Sequence, residues 1–224
     1  MRNVTVDING EEVPGYLQVP AAGHGPAVIV IQEWWGLVPH IESVVDRFAD
    51  AGFVALAVDH YRGVQAAEPN EAQKLMLGLN IAQVAADLAA SAAWLSARTE
   101  TDGATVGTVG FCMGGGLALL APTVSDHITR TVGFYPATPW PDYAPDWARY
   151  AGKAALVNRA EGDEPGMGDT LRAYAEQIRS HGGSVEFADY PASVHAFFND
   201  TRPEVYQEAN AHAAWQRTID FLRS

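Results

Sequence analysis

Cysteine is nearly absent from this chain, since Cys112 is the only one. A single thiol excludes an intramolecular disulfide framework and cannot form a structural zinc site. The seven histidines show no metal-ligand spacing, so we expect no bound metal. Cysteine scarcity is also typical of proteins in a reducing compartment, which predicts a cytoplasmic location.

Basic residues are scarce as well. Lys and Arg number 14 against 27 Asp and Glu, which gives a net charge of −13 with no basic run. We therefore expect neither nucleic acid nor a membrane surface as a partner, and an anionic substrate would need a local arginine. No apolar run reaches the length of a transmembrane helix, and residues 1–12 have no apolar segment of the signal-peptide kind.

Loops that hold nucleotide phosphates are missing too. The glycines at 103, 107, 110, 114, 115 and 116 match neither the G-x-G-x-x-G pattern nor a loop that ends in Gly-Lys-Ser/Thr. We therefore expect no nucleotide and no other cofactor.

What is present is a regular alternation of strands and helices. The 224 residues are 48% hydrophobic and 18% charged, which predicts one globular domain over 1–224. Asn9-Gly10 predicts a hairpin between strands 3–8 and 13–19. Further strands are predicted at 27–31, 53–58, 104–111, 129–134, 154–157 and 184–190, and helices at 39–51, 70–98 (with Gly78 a candidate break), 169–181 and 203–222. This order predicts an α/β fold with a doubly wound, mostly parallel sheet and an N-terminal antiparallel hairpin.

The lone cysteine lies in Gly110-Phe111-Cys112-Met113-Gly114, between a strand and a helix-compatible run. This Gly-x-Cys-x-Gly spacing is typical of a nucleophile elbow, where flanking glycines let the strand and the helix approach closely. The helix N-terminus would favour a thiolate and a developing oxyanion. The alternative is a buried structural cysteine in a glycine-rich turn.

Three other candidates also follow predicted strands, namely Glu33, Asp163 and His195. In parallel sheets the active site forms at the carboxyl ends of the strands, so we expect these side chains to meet Cys112. An imidazole can take the thiol proton, and a carboxylate behind it orients the ring. The order nucleophile, acid, histidine is that of α/β-hydrolases.

Each of these residues also has a simpler interpretation. The histidine could be a surface or capping residue, the aspartate a turn former, and the glutamate an N-cap or the partner of an arginine. Glu161, Glu164 and Asp169 lie near Asp163 and are rivals for the acid. Asp87, in the long helical stretch, is interpreted as a surface residue.

Taken together, these residues make the chain resemble the dienelactone hydrolase family of α/β-hydrolases over nearly its whole length. The resemblance rests on five blocks: QEWWG at 32–36, DRFA at 46–49, GFVALA at 52–57, GFCMGG at 110–115 and HAFFND at 195–200. It implies that Cys112 is the nucleophile, His195 the general base and then acid, and Asp163 its orienting carboxylate. It also implies an oxyanion hole from the backbone N–H groups of Met113 and Trp34, and a role for Glu33 in contacting the resting thiol and delivering the thiolate.

The expected specificity residues depart from the best-known members, which hold a substrate carboxylate with arginines and have a serine after the histidine. Here Ala196 follows His195, and Arg62 is the one arginine we assign to substrate binding, with a structural ion pair as its alternative. Aromatic side chains could line the pocket or belong to the core: Trp34, Trp35, Tyr61, Tyr135, Trp140 and Phe197.

We therefore expect a cofactor-independent hydrolase that opens lactones or cleaves activated esters through a thioester at Cys112. Its partner would be a small molecule, and the chain a monomer or small homo-oligomer. Two other classes stay open: a non-catalytic binding protein on the same fold, and a redox-sensing thiol, which would have to use glutathione or a second subunit because the chain has no second cysteine.

Overall fold

An eight-stranded mixed sheet organises the protein, here described by a computed structural model that covers residues 2–137, 143–163 and 165–224, with the backbone alone for 165–167. Its strands are β1 (Val4–Ile8), β2 (Glu11–Gln18), β3 (Gly25–Ile31), β4 (Val54–Val58), β5 (Thr101–Phe111), β6 (Ile128–Phe134), β7 (Ala154–Ala160) and β8 (Ser184–Tyr190). The helices are α1 (Pro39–Asp50), α2 (Pro69–Leu77), α3 (Ile81–Ser96), α4 (Met113–Leu120), α5 (Pro165–Ser180) and α6 (Glu208–Arg223), with short 3-10 turns at Ala121–Thr123 and Trp147–Tyr150.

The sheet order is β1-β2-β4-β3-β5-β6-β7-β8. β1 pairs antiparallel with β2, and β2 antiparallel with β4, whereas every pair from β4 to β8 is parallel. Asn9 and Gly10 both have positive φ, 55° and 87°, as a tight two-residue hairpin requires. The predicted fold class and its N-terminal antiparallel hairpin are thus confirmed.

Helices cover the two faces of the sheet. α1 and α6 pack against each other through Phe48 and Trp215, whose ring centroids are 4.5 Å apart. α3 and α4 contact β5. Strand β4 is buried along its whole length, as expected of a strand covered on both faces.

The candidate break at Gly78 is confirmed, and the start of the last helix differs from the sequence prediction in a way that matters for the site. The stretch 70–98 is two helices, because Gly78 ends α2 and the Asn80 side chain caps α3 by accepting from the Gln83 N–H at 3.1 Å. The last helix begins at Glu208, not 203. The Gln207 N–H instead donates to the Phe197 carbonyl at 3.0 Å, which ties this segment to the loop that carries His195.

Within the described residues, no single helix is long and apolar enough to span a bilayer. α2 and α3 meet that criterion only as a pair, bent by 84°, on length and composition alone.

Candidate active site

Cys112 lies at the junction of β5 and α4 in a strained conformation, with φ 54° and ψ −119°. A non-glycine residue held at such angles costs about 1–3 kcal/mol, which surrounding contacts must offset. The Cys112 N–H donates to the Phe134 carbonyl at 3.0 Å. A Cβ on Gly110 would lie 1.9 Å from the Gly114 carbonyl oxygen, and one on Gly114 would lie 2.4 Å from that of Gln32. The flanking glycines are therefore needed for the close approach that the elbow requires.

His195 and Asp163 are joined by a short hydrogen bond, with Nδ1 and Oδ1 2.7 Å apart. Asp163 follows β7 and His195 follows β8, neighbouring parallel strands whose carboxyl ends meet at one edge of the sheet. The described rivals for the acid have other partners: Glu161 accepts from the Ala192 N–H at 2.6 Å, and Asp169 pairs with Arg172. Glu164 lies outside the described residues.

The surroundings of His195 favour its protonated ring. Burial by itself would lower the pKa of His195, but interactions with Asp163 and with Cys112 outweigh it and raise the pKa to about 10. The interactions of the ring with Asp163 and Cys112 therefore favour its protonated form.

Glu33 is a buried carboxyl at the end of β3, with 2% of its surface exposed. Burial raises the pKa of Glu33, and His195, the Asn199 amide and Arg202 act in the opposite direction. The Asn199 Nδ2 donates to Oε2 of Glu33 at 3.1 Å, while its Oδ1 accepts from the backbone and hydroxyl of Thr201. Glu33 is thus a partly compensated acid inside the site.

A cavity of about 330 Å³ joins these groups. It is lined by Glu33, Trp34, Trp35, Met76, Cys112, Ala137, Gly162, Asp163, His195, Ala196 and Arg202. In the part of the chain that the structure describes, no three His, Cys, Asp or Glu side chains are placed to hold a metal ion.

The two expected oxyanion-hole residues come from two separate segments of the chain, one of which follows Cys112 directly. Met113 is the first residue of α4, and Trp34 follows Glu33. Among residues 2–137, 143–163 and 165–224, neither backbone N–H has a protein acceptor outside regular elements, so both can donate to a bound molecule.

The residues expected to bind substrate are split between several places. Trp35 lines the cavity. Tyr135 and Phe197 have no exposed surface and are not among the residues that line this cavity. Tyr61 and Arg62 line a second cavity of about 380 Å³, although the Tyr61 hydroxyl reaches the Met113 sulfur at 3.2 Å. Trp140 lies outside the described residues.

Arg62 forms the ion pair that was its alternative interpretation. Its guanidinium donates to Asp87 at 2.6 and 2.8 Å and to Glu11 at 2.9 Å, so its donors are committed. The interpretation of Asp87 as a surface residue is wrong, because Asp87 is completely buried and also contacts His60 at 3.2 Å. A helical pattern cannot reveal this burial, since the partners come from the loop after β4.

Sequence reasoning missed three residues around the cavity. Met76 of α2 lines it, Asn199 holds Glu33, and Arg202 is the cation that lines it among the residues described. Asn199 lies in the block 195–200, which was a usable signal. Arg202 had none, because its arrival depends on how the loop after His195 packs.

A cysteine on a strained strand-to-helix turn, in a sheet of this order, defines an α/β-hydrolase fold. The dienelactone hydrolase family model matches residues 13–224, and the chain belongs to that family. Protein usf of Aquifex pyrophilus is 36% identical over 227 residues, covering 98% of this chain and 96% of that protein. A protein of Aquifex aeolicus (strain VF5), provisionally named a carboxymethylenebutenolidase, is 32% identical over 228 residues, covering 99% and 97%.

Solved structures agree with this assignment. A crystal structure from Klebsiella pneumoniae subsp. pneumoniae MGH 78578, provisionally described as a dienelactone hydrolase, is similar with a TM-score of 0.82 at 26% identity, covering 99% of this chain and 98% of that one. The chain is accordingly a carboxylic ester hydrolase of the dienelactone hydrolase type, acting on lactones or esters.

Proposed function

We propose that Cys112, His195 and Asp163 form a catalytic triad that hydrolyses its substrate through a thioester. The observation that carries the proposal is the strained Cys112 in one cavity with an imidazole that Asp163 holds at 2.7 Å. A thiol needs a base to become a nucleophile, and the base needs an orienting carboxylate.

The reaction proceeds in two steps that balance. The Cys112 thiol passes its proton to His195, and Sγ attacks the carbonyl carbon of the ester or lactone. The bond from that carbon to the ring or alcohol oxygen then breaks, and His195 gives the departing oxygen its proton. Water, activated by the neutral ring, attacks the thioester, the C–S bond breaks, and the carboxylic acid leaves as the thiol is restored.

The backbone N–H groups of Met113 and Trp34 stabilise the tetrahedral intermediates. Both belong to rigid backbone beside Cys112, one of them at a helix N-terminus, where the dipole favours negative charge. Removal of one such donor costs about 10²–10³ in kcat in other hydrolases.

Glu33 controls the state of the thiol. It lines the cavity with Cys112 and is buried, and its charge is compensated by a nearby imidazole, amide and guanidinium. In line with its family, we assign it contact with the resting thiol and help in delivering the thiolate when substrate binds.

The cavity favours an activated ester or enol lactone with an apolar body and one carboxylate. Trp34, Trp35, Met76 and Ala137 supply an apolar wall, and Arg202 supplies a cation. A thiolate suits leaving groups that depart readily, whereas amides have poorer ones. We further propose that the enzyme acts in the cytoplasm as a monomer or small homo-oligomer and without a cofactor.

The test is substitution of the nucleophile. Cys112→Ala should reduce hydrolysis of lactones and aryl esters to background and leave the circular dichroism spectrum unchanged. Cys112→Ser should cause a strong loss, because the site is built around a thiol. Full activity in the alanine variant would refute the mechanism.

Two further readouts separate the rival classes. Mass spectrometry of the quenched reaction should detect an acyl group on Cys112, which is unambiguous because the chain has one cysteine. A binding protein would show neither hydrolysis nor a reactive thiol. A redox sensor would show a reactive thiol and a glutathione adduct without ester turnover.

A further inference from the structure

Tyr135 is a buried tyrosine whose hydroxyl has no hydrogen-bond partner of ordinary geometry within the described residues. It has no exposed surface, and its backbone is strained at φ 36°. A buried O–H without a partner costs free energy, and so does a non-glycine residue at positive φ. Two unfavourable features at one residue point to a function that needs the side chain there.

The position of the Tyr135 ring is tightly determined. Its backbone N–H donates to the Asn158 carbonyl at 2.7 Å, just beyond the end of β6. The ring meets His195 edge-on, with centroids 5.0 Å apart, and Phe197 in the same manner at 5.5 Å. Because the ring is held on several sides, the direction of the hydroxyl is fixed.

The charged groups that influence Tyr135 are those of the active site. Burial raises the pKa of Tyr135 well above its ordinary value, and the negative charges of Glu33, Cys112 and Asp163 raise it further, while Arg202 acts against them. Glu33 has the largest electrostatic effect of the four. Tyr135 therefore stays a protonated donor over the whole range in which the enzyme is expected to work.

Glu33 in turn has room for another donor. Its Oε2 accepts from Asn199, and the charged groups around it are His195 and Arg202, with the Cys112 thiol in the same cavity. These contacts are sufficient for a neutral carboxyl group. A carboxylate has about four acceptor sites, so an ionised Glu33 can accept a further hydrogen bond. Tyr135 also acts to lower the pKa of Glu33.

We propose that Tyr135 is a positioning residue for Glu33, whose hydroxyl donates a hydrogen bond to the Glu33 carboxylate when that group loses its proton. The proposal rests on the assignment of Glu33 as the group that controls the thiol. Tyr135 does not line the cavity, so it acts through Glu33 and not on the substrate.

The experiment uses the single cysteine as a reporter that needs no substrate. The rate of Cys112 alkylation by iodoacetamide is measured from pH 4 to 10 in the wild type, Tyr135→Phe, Glu33→Gln and the double variant. Tyr150→Phe is the matched control, because Tyr150 is equally buried but its hydroxyl donates to the Leu119 carbonyl at 2.7 Å, away from the site.

We expect an inflection from Glu33 in the wild-type profile that is absent in Glu33→Gln. Tyr135→Phe should move this inflection upward by about one pH unit, because a hydrogen bond to a charged group is worth about that much. Tyr150→Phe should leave it in place and lower the melting temperature, whereas Tyr135→Phe should not.

Four results would overturn the proposal. The inflection could stay where it is in Tyr135→Phe, it could shift equally in Tyr150→Phe, or Tyr135→Phe could still change the profile in the Glu33→Gln background. An unchanged profile in Glu33→Gln would also do so, because Glu33 would then not titrate within reach of Cys112. Ester hydrolysis by the wild type and Cys112→Ala is assayed separately, so a failed triad and a failed Tyr135 assignment give different patterns.

Discussion

Two of the histidine–carboxylate pairs in this fold contrast in their surroundings: His195 and Asp163 line the cavity that holds Cys112, whereas His60 and Asp87 do not. His195 and Asp163 are 2.7 Å apart, with 37% and 15% of their side-chain surfaces exposed. His60 and Asp87 are 3.2 Å apart, with 1% and 0% exposed. The two pairs consist of the same residue types but differ in exposure and in their further contacts.

The difference lies in what else contacts the carboxylate. Asp87 also accepts two hydrogen bonds from Arg62 and one from Gln83, so its charge is already balanced. Asp163 instead serves His195, whose ring also interacts with Cys112. A carboxylate behind a histidine thus makes a catalytic pair only when no arginine neutralises it and a nucleophile is within reach.

The largest expected effect comes from Asp163→Asn. We expect kcat/KM to fall by about 10³–10⁴, as when the orienting carboxylate of other triads is replaced. Asp87→Asn serves as the matched control and should change kcat/KM less than about threefold. Equal losses in the two variants would mean that the pairs do not differ in role.

The same Asp163 variant should also change the titration of His195. The raised pKa of about 10 means that the imidazolium contributes stability below pH 6.5, and that this contribution is lost as the pH rises through 10. In Asp163→Asn the pKa should fall towards or below 6.5, since burial remains. Nuclear magnetic resonance of the ring Cε1–H measures it.

The second largest effect is a loss of stability when the His60–Asp87 pair is disrupted. Asp87→Asn should lower the free energy of unfolding by about 3 kcal/mol, because it leaves Arg62 and His60 without their buried partner. Burial would raise the pKa of Asp87, but His60 and Arg62 hold it well below its ordinary 3.8. This stability is therefore present above about pH 4 and lost as the pH falls further. Urea unfolding at pH 7 and pH 3 checks both statements.

A third and smaller effect is expected at Glu33. Because burial raises the pKa of Glu33 above 4.5, its ionisation opposes folding, and the wild type loses stability as the pH rises through the folded pKa. At pH 8 the free energy of unfolding of Glu33→Gln should therefore be about 1 kcal/mol higher than that of the wild type. Below pH 4.5 the two free energies should be similar. The variant should nevertheless lose activity. A destabilised, fully active variant would contradict this.

The smallest expected effect concerns Arg202. With Arg202→Gln, we expect the preference for a carboxylate-bearing ester over a neutral one, such as mono-4-nitrophenyl succinate over 4-nitrophenyl butyrate, to fall about tenfold, or about 1.4 kcal/mol. Arg217→Gln is the control, because Arg217 pairs with Glu186 outside the cavity. An unchanged ratio would remove Arg202 from substrate recognition.

Local features were predictable where a short stretch of chain specifies its own geometry. Asn9-Gly10 tolerates positive φ, so the hairpin follows. Gly110 and Gly114 leave room around Cys112, so the elbow follows as well. The predicted start of the last helix was wrong, because the residue before Glu208 is hydrogen-bonded to the loop that carries His195, which periodicity does not register.

Partners across the fold were not predictable in the same way. Arg62 and Arg202 are both loop arginines, and composition does not say that one pairs with a buried aspartate while the other enters the cavity. Likewise, Glu161 and Asp163 are both carboxylates after β7. Only the packing of the loop after β8 decides which of them meets His195.

Sequence alone was sufficient for the class of fold, for the elbow and for placing Glu33, Asp163 and His195 after strands, because strand ends and glycine spacing are local properties. Tertiary structure decided that Asp87 is a buried partner of Arg62, that Arg202 lines the cavity and that the buried Tyr135 ring packs against His195. Those outcomes depend on distances between loops far apart in the chain, and the charge and burial of each group follow from its neighbours in space.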